Sequence, residues 1–358
     1  MSTMDGLFTD YLKSIMPYDH AIARAIQAHD QLRDDIASDE ILGPYIVRTL
    51  LSGSYGRDTS THGIKDIDTI IQLSLTISDI QTLKRASETE QACLLRLTRE
   101  AIERTGRVAD TKPARRSIYV ELPDEVNEIG KDLPALTLDI VPVLIPFDQD
   151  VDPMTVADRE LKEWFDTFPN SQLQDSVDRN QSSSEIYGYR SYKSLVKMMK
   201  SWKKVHFHQN KTPKGFILEC MVAKFHNPQA EHWLDAIYDL LQNICISWPN
   251  PDLIFSIPEI HDISNQNWRA IPIAKNIEDA KRVLKKMHWS FSKVKEAKDL
   301  ASSDLYAAAK ILQQVFGDDE STGLCFPLPE KEKGNGNRSE PIKESGSRHN
   351  IREAYPFG

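Results

Sequence analysis

The sequence predicts an α/β (α+β) fold, a lobe built on a mixed sheet followed by a lobe built from helices. Three observations carry this expectation. Aliphatic and β-branched runs at 45–51, 67–75, 117–122 and 136–145 have the length and composition of strands, and all lie in the first half of the chain. Beyond residue 160, apolar residues instead recur at helical spacing. At 358 residues the chain is longer than one compact unit usually needs, so two units can share an interface. The composition shifts divide it into 1–150, an N-terminal helix plus the sheet lobe; 151–317, the helical lobe; and 318–358, a tail.

Residues 7–37 read as one long helix, with Phe8, Leu12, Ile15, Ile22, Ile26 and Leu32 near helical spacing. The strand at 45–51 stops at Ser52-Gly53-Ser54-Tyr55-Gly56, a tight glycine loop. The strand at 67–75 precedes a helix over 80–105. The run at 136–145 is almost unbroken in apolar residues, which suits a sheet centre. Helices are then expected at 160–168, 184–205, 216–225, 232–246, 277–297 and 303–316. Ser182 to Glu185 has the spacing of a capping box for the second of these. From Asp318 onward proline, glycine and charge replace the periodicity. Such a segment buries too little apolar surface to offset its ordering entropy and reads as a flexible tail.

Composition excludes several classes. The chain is 40% hydrophobic and 27% charged, as soluble globular proteins are. A net charge of −9 disfavours sequence-independent binding to a phosphate backbone, which needs surplus Lys and Arg. Cys93, Cys220, Cys245 and Cys325 are isolated, so neither a zinc ribbon nor a disulfide framework is indicated. Cys220 with His226 and His206 or His208 can be drawn as a metal site, but a buried thiol among surface histidines is the simpler reading. No apolar stretch approaches the roughly 20 residues that cross a bilayer, and the N-terminus lacks a signal-peptide pattern. A cytoplasmic location is expected.

The residues that carry chemistry are Gly53-Ser54-Tyr55-Gly56-Arg57-Asp58-Thr59, then Asp66-Ile67-Asp68, then Asp139 within Leu138-Asp139-Ile140. Strand side chains alternate faces, so Asp66 and Asp68 are expected to project together while Ile67 faces the core. Adjacent carboxylates repel unless a cation lies between them, and a hard divalent ion is the natural partner. Asp139 interrupts an apolar strand, where an unpaired charge is costly. If that strand neighbours the Asp66–Asp68 strand, three carboxylates converge and can bridge two metals suited to phosphoryl transfer. Gly53 lets the backbone approach a phosphate, Ser54 offers an amide and a hydroxyl, and Arg57 adds charge. A Gly-Ser turn, an Asp-x-Asp pair or a strand aspartate is commonplace alone. Their order together is not.

That order resembles the nucleotidyltransferase superfamily with the DNA polymerase β-like fold, and more narrowly the bacterial cGAS/DncV-like nucleotidyltransferases (CD-NTases). Gly53, Ser54, Arg57, Thr59, Asp66, Asp68 and Asp139 match the family pattern, and the likeness continues through Asp158-Arg159-Glu160, Trp164, the 191–204 helix and Lys214 to Glu219. The resemblance implies a polymerase β-like lobe packed on a helical lobe of the oligoadenylate synthase type. It also implies synthesis of a cyclic di- or trinucleotide second messenger from ATP or other NTPs such as GTP. On the same resemblance pyrophosphate is expected to leave, two Mg2+ ions (or Mn2+) to be held by Asp66, Asp68 and Asp139, and the setting to be anti-phage (CBASS) signalling with a downstream effector. Lys193, Lys197, Lys200 and Lys204 lie on one helix face opposite Leu195, Met198, Met199 and Trp202. For Lys193 and Lys204 a solvated face explains the pattern equally well. Lys197 and Lys200 are nucleotide-binding candidates, Lys200 by its match to a family lysine that meets phosphates, and Gly215 stands where many relatives carry Ser. Neither the zinc-bearing insertion nor the basic DNA surface of animal cGAS is present, so stable DNA binding is not expected.

The chain ends Tyr355-Pro356-Phe357-Gly358 after a polar linker. In one branch of these defence systems the synthase's last residue is joined to targets by a ubiquitin-transfer-like ligase, which makes Gly358 a candidate for conjugation; an end without a role explains it equally well. Two further readings compete for the whole chain: another template-independent nucleotidyltransferase yielding linear oligomers or a modified acceptor, and a non-catalytic nucleotide sensor.

Overall fold

The computed structural model describes residues 3–61, 66–123, 136–145, 152–207, 212–264, 270–319 and 324–329; the side chain of Asp66 lies outside that description. The predicted N-terminal helix is two helices, α1 (Met4–Ile15) and α2 (Asp19–Ala37). Pro17 disfavours helical geometry in the residue before it, and Met16 is extended at φ −75° and ψ 149°. The break sends the two helices to different lobes. α1 buries Leu7, Phe8, Tyr11, Leu12 and Ile15 in the helical core, whereas α2 buries Ala25, Leu32 and Ile36 against the sheet.

The sheet lobe continues with β1 (Ile46–Leu51), a short turn of helix α3 (Gly53–Gly56) and β2 (Asp66–Leu73). The expected 80–105 helix divides into α4 (Ile77–Leu83) and α5 (Glu90–Arg104), because Thr76 and Thr89 each cap a separate start. Then come β3 (Asp110–Pro113), β4 (Ile118–Glu121) and β5 (Thr137–Leu144). The segment expected as a helix at 160–168 is instead strand β7 (Glu163–Thr167), paired antiparallel with β6 (Met154–Asp158). Trp164, Phe165 and Thr167 favour a pleated surface, and pairing along Val156–Phe165 and Ala157–Trp164 decides the matter.

The strand order is β1-β2-β5-β4-β3, with β6 on β5 and β7 on β6. β2 and β5 run parallel; every other pair is antiparallel. One face carries Ile67, Ile71, Leu73, Leu138, Ile140 and Leu144 into the core beneath α2 and α5. The opposite face holds a smaller cluster of Ile70, Val143, Met154 and Val156. Because β6 and β7 belong to this sheet, the boundary expected at residue 150 falls short of the sheet's last two strands.

The second lobe contains α6 (Pro169–Ser182), a hairpin of β8 (Glu185–Ile186) and β9 (Tyr189–Arg190), then α7 (Ser191–Phe207), α8 (Gly215–Phe225) and α9 (Trp233–Ser247). Hairpin β10 (Glu259–His261) and β11 (Ala270–Pro272) precedes α10 (Ile277–Leu300) and α11 (Leu305–Phe316). The helix expected from 184 therefore starts later, because Tyr187 and Gly188 adopt positive φ and turn the β8–β9 hairpin. No capping box forms at 182–185, where Ser182 closes α6. Instead the end of α6 caps α7 from outside: the Tyr192 amide donates to Ser183 Oγ at 3.2 Å and the Lys193 amide to Asn180 Oδ1 at 3.2 Å.

The expected tail is not wholly free of structure. Hairpin β12 (Asp318–Asp319) and β13 (Leu324–Cys325) leads to Phe326, fully buried with its ring 4.9 Å from Phe8 and 5.5 Å from Tyr11. Gln313 Nε2 donates to the Phe326 carbonyl at 2.8 Å. The remainder, with the conjugation candidate Gly358, lies outside the described residues.

Candidate active site

The parallel pairing of β2 with β5 sets the central geometry. Asp66 lies opposite Thr137, and Asp68 lies opposite Asp139. Registered neighbours in a sheet share a face, so Asp68 and Asp139 stand together on the face that carries Ile70 and Val143, away from α2 and α5. Ile67, between the two acids of β2, is fully buried on the other face, as alternation requires. Asp139 also lies opposite Tyr119 of β4, and Ser117 Oγ donates to Asp139 Oδ1 at 3.4 Å.

The Gly53 turn is seated directly on this pair. The Ser52 amide donates to the Asp68 carbonyl at 2.8 Å, tying the end of β1 to the acid strand. Gly53 has φ +60°, and a Cβ built there would run into the Asp68 carboxylate. Only glycine supplies both the left-handed backbone and the missing side chain. Ser54 accepts through its carbonyl from the Thr59 amide at 2.8 Å, which closes the loop back on itself.

Residues 57–59 then reach the helical lobe. Arg57 is buried, and its guanidinium donates from Nε to Glu219 Oε1 at 2.8 Å and from a terminal nitrogen to Oε2 at 3.3 Å. Thr59 Oγ1 donates to Glu219 Oε2 at 3.3 Å. Lys200 Nζ donates to Thr59 Oγ1 at 2.9 Å and to its carbonyl at 3.0 Å, and lies 3.6 Å from Glu219. Lys197 Nζ donates to Asp58 Oδ1 at 2.9 Å, with Lys193 3.9 Å from the same carboxylate. Gly215, the first residue of α8, packs over the Lys200 stem. Lys193, Lys197 and Lys200 do not form a solvated face: their side chains are only 16, 6 and 11% exposed.

Burial and charge set the protonation of this cluster. Burial pulls the Lys200 ammonium down to about 8, against the opposing pull of Glu219. Burial pushes the Glu219 carboxyl up, yet Lys200 and Arg57 beside it hold it below the usual carboxylate range. Burial lowers Lys193, partly offset by Asp58. A second cluster borders the site. Arg115 and Arg116, in the β3–β4 turn beside Ser117, donate to the fully buried Asp158 carboxylate at 2.6 and 2.8 Å. Burial raises that carboxyl, but the Leu161 amide and both guanidiniums outweigh it and hold it at about 2.

Carboxylate oxygens are the donors a hard divalent cation takes, and the strand register sets Asp68 beside Asp139 on one face, with Asp66 two residues before Asp68 on the same strand. The site-forming residues that sequence reasoning passed over are Glu219 and Ser117. Glu219 is the one acid in the apolar stretch from Gly215 to Phe225, a burial that demands cationic partners.

Comparison with known proteins converges on one group. The family described as Second Messenger Oligonucleotide or Dinucleotide Synthetase domain matches residues 1–180. A cyclic AMP-AMP-AMP synthase of Acinetobacter sp. (strain ATCC 27244 / 9458) is 28% identical over 268 residues, 73% of this chain and 69% of that protein. Among solved structures, Escherichia coli MS115-1 CdnC with ATP aligns at TM-score 0.63 and 14% identity, covering 87% of this chain and 96% of the other. Vibrio cholerae DncV, a cyclic AMP-GMP synthase, aligns at TM-score 0.55 and 14% identity, covering 87% of this chain and 79% of the other.

Proposed function

We propose a specific chemistry for this chain, which belongs to the Second Messenger Oligonucleotide or Dinucleotide Synthetase family and so to the bacterial CD-NTase nucleotidyltransferases: it joins NTPs, ATP among them, into a cyclic di- or trinucleotide and releases pyrophosphate. The observation that carries this reading is the pairing of Asp68 with Asp139 beside a glycine turn whose missing side chain lets the backbone pack against the Asp68 carboxylate. The likeness to a cyclic AMP-AMP-AMP synthase supports ATP as a substrate.

In this reading Asp66, Asp68 and Asp139 hold magnesium, with manganese as the substitute. When bound, magnesium supplies charge neutralisation for the triphosphate and acidifies the attacking ribose hydroxyl. Gly53 and Ser54 present backbone amides and a hydroxyl to phosphate oxygens. Lys200 and Lys197 bring positive charge from the helical lobe, while Arg57 and Thr59 fix the turn that carries Ser54. Gly215 leaves room beside the Lys200 stem.

The domain reading that goes with this is a catalytic sheet lobe, a nucleotide-binding helical lobe and a C-terminal tail. The cellular reading is anti-phage signalling in the cytoplasm, with an effector that senses the product and a ubiquitin-transfer-like ligase acting on Gly358. Among the described residues no helix is long and apolar enough to cross a membrane. The test is incubation with all four NTPs and magnesium, followed by mass spectrometry. A phosphatase-resistant cyclic product supports the proposal. Linear oligomers, a nucleotidylated acceptor, or no pyrophosphate release would overturn it in favour of another transferase or a nucleotide sensor.

A further inference from the structure

We infer that Glu219 is a positioning residue, which keeps the buried Lys200 ammonium charged and aimed at the nucleotide side of the Gly53–Thr59 turn. The inference rests on the reading of Lys200 as a phosphate-binding group. Glu219 is fully buried on α8 and is held from two other segments: Arg57 and Thr59 of the turn donate to it, and Lys200 of α7 forms an ion pair with it at 3.6 Å. A carboxylate placed this way is the hub through which the helical lobe fixes residues only a few positions after Ser54. Lys200 bonds the same Thr59, through both its hydroxyl and its carbonyl, so the ammonium and the turn share one anchor.

Charge balance gives Glu219 a second task. Arg57 and Lys197 bring like charge near Lys200, and Asp58 is bonded to Lys197 rather than to it. Tyr192, whose buried hydroxyl has no hydrogen-bond partner, lies near Glu219 and is pushed up by burial and by that carboxylate. Among the described residues Glu219 is therefore the acid paired with Lys200. Burial already brings the ammonium down to about 8, and removing the carboxylate lowers it further, so the lysine becomes neutral under conditions where a phosphate needs it charged.

The experiment titrates a non-hydrolysable ATP analogue with magnesium into the full-length wild type and Glu219→Gln, whose side chain has nearly the same shape. Thermal melting runs alongside. The expected result is an affinity about 10-fold weaker than wild type at about pH 8, with the deficit closing at about pH 6, where Lys200 regains its proton in both proteins. A deficit of equal size at both pH values would mark Glu219 as packing alone and overturn the inference, as would no deficit, or a wild type that binds the analogue at neither pH. Should Glu219→Gln fail to fold, Lys200→Met keeps the Arg57–Glu219 pair and is expected to bind weakly and equally at both pH values. Persistence of the wild-type pH dependence in that variant would overturn the inference. Failure of the functional proposal has a different signature, a wild type that binds the analogue with the expected pH dependence yet makes no cyclic product.

Discussion

Asp68 and Asp139 face each other across the parallel β2–β5 pair, although 70 residues of sequence lie between their two positions. The turn at Gly53 packs against Asp68, and its later residues Arg57 and Thr59 are held by the buried Glu219. Each part of this arrangement has a consequence that can be measured.

Gly53→Ala should separate folding from activity. The new Cβ meets the Asp68 carboxylate, and the backbone holds φ at +60°. The strain costs about 1–2 kcal/mol, a loss that a well-packed sheet lobe survives. Displacing Asp68 by about 1 Å should lower turnover about 100-fold. Pyrophosphate release together with a melting curve checks both halves.

Arg57→Met should destabilise the protein more than it alters its surface. Arg57 and Glu219 are buried together, and removing one partner leaves the carboxylate facing Lys200 and Thr59 alone. The expected cost is about 3 kcal/mol in a denaturant titration. A loss near zero would mean that Lys200 alone satisfies Glu219.

Acid should weaken the fold in two steps. Burial brings the His206 imidazole down to about 4, so between its ordinary value of 6.5 and that point the unfolded chain binds a proton that the folded chain does not. Stability is thus full above the higher value and falls as the pH drops through that interval. His29 and His226, lowered by burial, act in the same direction. Asp158, held at about 2 against an ordinary 3.8, adds a second loss at lower pH as its bonds to Arg115 and Arg116 are broken. Melting temperature against pH measures this, and His206→Gln should flatten the first step.

Much of this was legible in the sequence because the informative residues break a local rule. Asp139 interrupts an apolar strand, and Gly53-Ser54 stops another, so both stand out without any knowledge of tertiary contacts. The Lys197 and Lys200 spacing placed both on one helix face, but whether that face met water or another lobe depended on how α7 packs. The strand at 163–167 lies inside a segment, 160–168, whose sequence suggests a helix, because its pairing partner at 154–158 decides its state and a short segment carries too little periodicity to announce a partner. The single helix expected at 7–37 failed at Pro17, a local signal that the apolar stripe on either side outweighed. Arg57 stands out in the sequence beside Gly53-Ser54, whereas its bond to Glu219 does not, since 162 positions separate them.

The most direct test of the central claim is the rate of pyrophosphate release from ATP and magnesium by Asp139→Asn, compared with wild type, with both confirmed as folded by their melting curves. If the two facing acids form one centre, the substitution abolishes release while leaving the fold intact. Release at the wild-type rate from the folded variant would contradict the account.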